Sequence, residues 1–167
     1  SDDATYWSVA EGTQNYVIDT YTTPLGYTGI FPVNPQMGGD KLYAHTYSAN
    51  TSNVVNSIND NRSMVVYSGH GSTTYWAGPS LYQSDVRNLF ANQVYPYVAG
   101  HACLTGKWEV EESFAETWVI QPDKGALVYF GASNNTYWTE DDLLERKIFD
   151  SLFSETQPSV AAMTQYG

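Results

Sequence analysis

From Asn50 onward, short continuous apolar runs alternate with amphipathic stretches. "SMVVYSG" reads as a buried strand ending at Gly69, "VYPYVAG" as the next strand and "GALVYFGAS" as a third. Between them, "NTSNVVNSIND" puts Val54, Val55 and Ile58 on one helical face. "SDVRNLFAN" predicts a helix capped by Ser84, with Val86, Leu89 and Phe90 at helical spacing, and "EESFAETWVI" places Phe114 and Trp118 four apart. "TEDDLLERKIFDSLF" predicts a helix opened by Thr139, with Asp142 at its third position and Leu144, Ile148 and Phe149 behind. Apolar strands alternating with helices predict an α/β domain whose mostly parallel sheet is covered on both faces. In the first 48 residues, "NYVIDTYTTPLG" reads as a helix ended by Pro24, "GIFPVNPQMGG" as a Pro/Gly-rich loop and "DKLYAHTY" as an added strand. No final strand is legible in "SVAAMTQYG".

Composition narrows the function classes. The 167 residues suit one domain with a sizeable core, and 42% hydrophobic content with 14 Tyr and 5 Trp is that of a globular chain. A formal charge of −11, with seven scattered basic residues, argues against nucleic acid, because phosphate binding needs clustered Lys and Arg. An acidic surface is compatible with cationic ligands, with structural calcium, or with secretion into a salty medium. No apolar stretch approaches the ~20 residues of a membrane helix. "SDDATYW" lacks the basic start and apolar segment of a signal peptide, so the expectation is a removed leader or an excised part of a longer precursor.

Two strands end on residues that can do chemistry. His70 sits in "GHG" after the first, and Cys103, the single cysteine, follows the second. Open parallel sheets build sites at the carboxyl ends of their strands, and right-handed crossovers tend to set consecutive strands side by side. The two side chains are therefore expected at one edge, where an imidazole can generate the nucleophilic thiolate. Gly71, without a Cβ, can bring its N–H close to a substrate carbonyl and with the Cys103 N–H form an oxyanion hole. A carboxylate beyond the imidazole would fix its tautomer. Against this, a lone cysteine at a strand end is as readily a small buried apolar residue, and Gly-His-Gly a turn. Zinc is a weaker rival, since His45, His70 and His101 lack H-E-x-x-H or C-x-x-C spacing.

The order of these motifs resembles the gingipain family of cysteine peptidases, whose caspase-like fold carries a His-Gly and an Ala-Cys after adjacent strands. "VVYSGHGSTTYW" is similar to the family's histidine loop, "LFANQVYPYVAGHACLTGKWEVEESFAETW" to its cysteine segment, and "GALVYFGASNNTYWTEDD" to its next strand and pocket loop. The resemblance implies a three-layer α/β/α caspase-like subdomain over residues 1–167, part of a longer precursor. It implies an endopeptidase with Cys103 as nucleophile, His70 as general base and acid, and Gly71 and Cys103 as oxyanion donors. "VAEG" resembles the "AEG" of the arginine-specific branch and makes Glu11 the candidate orienting carboxylate. "YWTED" resembles the lysine-specific "YWGED", which maps an aromatic wall onto Trp138 and the lysine-pairing carboxylate onto Asp141. Ser68 falls at a pocket-lining position, and His101 replaces a small polar residue beside the pocket. The implied partners are protein or peptide substrates and other domains of the precursor, with no cofactor needed for the chemistry. The implied location is secreted or on a bacterial surface. The alternative is a non-catalytic caspase-like binding module of a larger surface protein.

Overall fold

Three apolar runs form the central sheet of the computed structural model, which describes residues 1–154 and 159–166. We number elements along the chain: α1 (Trp7–Val17, continued by a wider turn over Ile18–Thr22), β1 (Thr28–Gly29), β2 (Gln36–Met37), α2 (Ala44–Tyr47), α3 (Thr51–Asn59), β3 (Met64–Ser68), β4 (Gly71–Ser72), β5 (Tyr75–Trp76), β6 (Leu81–Tyr82), α4 (Gln83–Leu89), β7 (Tyr97–His101), α5 (Phe114–Val119), β8 (Val128–Gly131), α6 (Trp138–Ser154) and α7 (Val160–Tyr166). The sheet order is β3-β7-β8, all parallel, with Ser68 paired to His101 and Gly100 to Gly131 at its carboxyl end. The expected caspase-like α/β architecture is present. Residues 155–158 and 167, within the expected 1–167 unit, lie outside the described residues.

The faces divide the helices. Tyr67, Val98, Ala102 and Tyr129 point into a core shared with α3, α4 and α5. Trp76 lies at its centre, stacked on Tyr67 at 4.4 Å and 5.4 Å from Trp118, while its Nε1–H donates to the Tyr129 hydroxyl at 3.0 Å. Buried aromatics of this kind are worth about 3–5 kcal/mol each against alanine. On the opposite face α1 packs against α6 through polar pairs. Thr13 donates to Asp142, Gln14 Nε2 to Glu145 Oε1 at 2.7 Å, and Tyr16 and Tyr21 to Asp150 at 2.6 and 2.7 Å.

Caps explain the helix starts. Asn50 and Asn53 form a reciprocal capping box before α3, and Ser113 and Glu116 do so before α5. Three expectations are corrected. Ser84 is not the N-cap of α4: β6 pairs with β5 and runs straight into the helix at Gln83, and the Asp85 carboxylate accepts from the Tyr82 N–H. "DKLYAHTY" forms no strand, because Asp40 accepts from the Ile30 and Phe31 N–H groups and from Arg62, and Ala44–Tyr47 turns helical. The helix α6 starts one residue before Thr139, at Trp138.

Candidate active site

The histidine loop is built on glycines and one tyrosine hydroxyl. Tyr67, the buried position of β3, donates to the His70 carbonyl at 2.7 Å and accepts from the Ala77 and Gly78 N–H groups at 3.2 Å each. The small antiparallel sheet β4-β5-β6 then folds back over the strand end. Gly69 N–H donates to the His101 carbonyl at 3.2 Å, tying this loop to the cysteine strand. Gly71 closes the approach. A Cβ there would lie 2.8 Å from Ala102 Cβ and 3.2 Å from the Cys103 carbonyl oxygen, so only glycine lets the loops meet this closely. His70 and Cys103 thus emerge from neighbouring strands at one end of the sheet.

His70 is about half exposed, at 55% for its side chain, and its Nε2 meets the Asp3 carboxylate at 2.8 Å. Asp3 also accepts from the Thr5 and Tyr6 N–H groups at 2.7 and 2.6 Å. The Tyr6 N–H above all, then His70, holds its carboxyl below the ordinary aspartate range, which keeps it anionic beside the imidazole. The Trp138 ring packs edge-on to His70 at 5.3 Å and stacks on Tyr6 at 5.5 Å. The imidazole is therefore gripped between a carboxylate and an aromatic wall.

Cys103 is half-buried and begins a tight loop held against the segment after β8. Leu104 N–H donates to the Asn134 carbonyl and Gly106 N–H to that of Ala132. Leu104 has φ of 62°, a left-handed conformation uncommon for a bulky side chain, directly after the thiol. The Sγ atom lies 3.5 Å from the Thr136 N–H nitrogen and 3.7 Å from the Thr136 carbonyl oxygen. The Thr136 side chain also hydrogen-bonds Asp141, whose carboxyl burial pushes above its ordinary value. One residue therefore touches both the thiol and the Asp141 carboxylate.

Each expected site residue can now be placed. His70, Gly71, Cys103, Trp138 and Asp141 converge at the carboxyl end of the sheet. Ser68 stands at the end of β3, half-buried, as the register partner of His101. Glu11 does not reach the histidine: it is buried on α1, and its carboxylate accepts from the Thr46 N–H at 3.2 Å and from the Thr46 hydroxyl. The carboxylate in contact with His70 is that of Asp3. Its local signal was legible, since an aspartate two and three residues before exposed N–H groups is an ordinary turn and cap device. Its partnership with a histidine 67 positions away was not. His101 does not line the pocket either: at 3% exposure its ring faces inward, toward Phe130 and Glu145. His45 stacks on Trp7 at 4.0 Å, away from the other histidines' strand ends. Among the described residues no three His, Cys, Asp or Glu side chains group as metal ligands, and no helix is long and apolar enough to cross a membrane.

Comparison with known proteins agrees with this geometry. The family model described as Peptidase family C25 matches residues 3–167. Lys-gingipain of Porphyromonas gingivalis is 30% identical over 142 residues, 81% of this chain and 7% of that protein. Lys-gingipain W83 of the same organism is 36% identical over 85 residues, 50% of this chain and 5% of that protein. The chain therefore spans less than a tenth of the length of these curated relatives. A solved structure titled "Structure of Protease" superposes with a TM-score of 0.70 at 27% identity, covering 86% of this chain and 30% of that one. The crystal structure of the Arg-specific cysteine proteinase gingipain R superposes with a TM-score of 0.64 at 23% identity, covering 70% and 29%, a likeness of fold. With a family match over nearly its whole length and the histidine and cysteine loops meeting at one strand edge, the chain belongs to peptidase family C25, the gingipain family of cysteine peptidases.

Proposed function

We propose that this chain is the catalytic part of a cysteine endopeptidase that cleaves after basic residues, lysine ahead of arginine. The observation that carries the reading is the Asp3–His70 contact at the end of the strand next to the cysteine strand. With Nε2 committed to Asp3, Nδ1 is the ring nitrogen left to exchange a proton with the thiol and the substrate. In that reaction His70 takes the Cys103 proton, and the thiolate attacks the scissile carbonyl carbon. The oxyanion is met by the Gly71 and Cys103 N–H groups. The imidazolium, stabilised by the Asp3 carboxylate, returns its proton to the leaving amine as the C–N bond breaks. Water activated by the same imidazole then hydrolyses the thioester.

Lysine preference rests on Asp141. Its half-buried carboxylate is tied through Thr136 to the nucleophile, and Trp138 supplies a flat wall for the alkyl stem of a lysine. No cofactor enters these steps. Gingipain relatives and the acidic surface support a secreted or surface-displayed protein of a bacterium that acts on protein or peptide substrates.

The test is labelling of Cys103 by peptidyl probes carrying one thiol-reactive warhead after lysine, arginine or aspartate. Fast labelling with lysine ahead of arginine and aspartate, abolished by His70→Ala and no longer selective in Asp141→Ala, supports the reading. Slow labelling indifferent to the peptide and to His70 would mean an ordinary thiol and a binding module.

A further inference from the structure

One buried ionisable pair lies outside the catalytic chemistry. His101 ends the cysteine strand β7, two residues before the nucleophile, and Glu145 lies on α6, one turn after Asp141. Both side chains are about 1% exposed, and His101 Nε2 and Glu145 Oε2 lie 3.7 Å apart with no hydrogen-bond partner for either atom among the described residues. A closure of about half an ångström brings them to hydrogen-bonding distance. The other Glu145 oxygen accepts from Gln14 of α1. The charged and titratable groups around the pair are Asp141, Asp142 and Arg146 on α6, Tyr97 on β7, Tyr43 from the segment before α2, and the buried Glu11 of α1, which also faces Tyr43. Burial, seconded by Asp142, pushes Glu145 up to about 8, and burial pulls His101 down to about 4. Near neutrality both are uncharged, so one proton on Glu145 Oε2 faces the lone pair of His101 Nε2, whose own proton is on Nδ1.

We propose that His101 and Glu145 are positioning residues: sharing this proton, they seat the amino-terminal half of α6 on the cysteine strand and so set how well Asp141 and Trp138 hold a basic side chain. The proposal rests on the reading of Asp141 as the pocket carboxylate. Ionisation of Glu145 adds a carboxylate to a surface that already holds Glu140, Asp141 and Asp142, with Arg146 its nearby cation. A buried carboxylate facing a lone pair must find water, which lifts α6 and loosens the pocket without touching the thiol or His70.

Two measurements on the full chain test this. In NMR titrations, the Glu145 carboxyl carbon should show a midpoint near 8. The Trp138 indole N–H should move with the same midpoint, and that movement should vanish in Glu145→Gln, whose amide still donates to His101. In labelling by a lysyl chloromethyl ketone, KI should rise about tenfold from pH 7 to pH 9, because a carboxyl with that midpoint leaves about one-tenth of the pair neutral at the upper pH. The rise should be absent in both variants, with KI low throughout in Glu145→Gln and high throughout in Glu145→Ala. A Glu145 midpoint in the ordinary carboxylate range, an indole shift indifferent to Glu145→Gln, or equal KI profiles in wild type and Glu145→Gln would each overturn it. No labelling at all would sink the peptidase reading, and the titration would still decide the pair.

Discussion

The buried pair makes a prediction about stability that needs no substrate. Glu145 is raised in the folded protein to about 8, from an ordinary 4.5 in the unfolded chain. Its stabilising, protonated state is fully present below the unfolded value and is lost as pH rises through the folded one. His101 is lowered to about 4 from an ordinary 6.5, so the folded state loses stability as pH falls toward 4. Between about 4.5 and 6.5 the two slopes oppose and cancel, leaving a plateau. Above it only Glu145 acts: over about one and a half pH units, at about 1.4 kcal/mol each, the pair costs on the order of 2 kcal/mol by pH 8. For a domain of this size that is a drop of about 4–8 °C in Tm. His101 titrates in wild type and in Glu145→Gln alike, so the difference between the two isolates Glu145. Urea denaturation at half-unit steps from pH 5.5 to 8.5 should show that difference growing in favour of the variant by about 1.4 kcal/mol per pH unit up to about pH 8. Parallel curves, within about 0.5 kcal/mol, would refute the placement of a neutral Glu145 in the core.

Three further predictions concern the site. Gly71→Ala forces a methyl against Ala102 and the Cys103 carbonyl. It should cost about 1–3 kcal/mol in urea denaturation and slow Cys103 labelling by more than that loss explains. Tyr67→Phe removes the hydroxyl that joins the His70 carbonyl to the Ala77 and Gly78 N–H groups. It should cost about 1–3 kcal/mol and slow labelling, measured on the same preparations. Asp3→Asn keeps the shape of the His70 contact but supports the wrong tautomer, and should cut peptide turnover by about a hundredfold or more at unchanged Tm. Unchanged turnover would leave His70 oriented by something else.

The legible parts of the chain were those whose chemistry is local. The strands β3, β7 and β8 are continuous apolar runs, and the capping boxes at Asn50 and Ser113 are written in three-residue spacings. "DKLYAHTY" failed as a strand because Asp40 is captured by backbone ten residues upstream and by Arg62 downstream, partners with no local signature. Ser84 lost its cap because β6 found a partner in β5. At the site, the strand ends placed His70 and Cys103 at the same end of the sheet, as the parallel pairing of β3 and β7 has them. The carboxylate beside His70 was not legible: Glu11 sits in a matching motif but is turned onto Thr46, while Asp3 meets His70 from 67 positions upstream. His101 was misplaced for a related reason. Alternation along β7 sends Val98 and Ala102 to one face and His101 to the other, under α6, where Glu145 awaits it.

Acylation of Cys103 by substrate, with His70 as the proton acceptor, is tested most directly by mass spectrometry of the protein mixed briefly with a lysyl thiobenzyl ester and quenched in acid. The expected result is an acyl group on the peptide containing Cys103, decaying as product forms, and absent in His70→Ala. An unmodified Cys103 in a folded protein, or acylation that persists undiminished in His70→Ala, would contradict it.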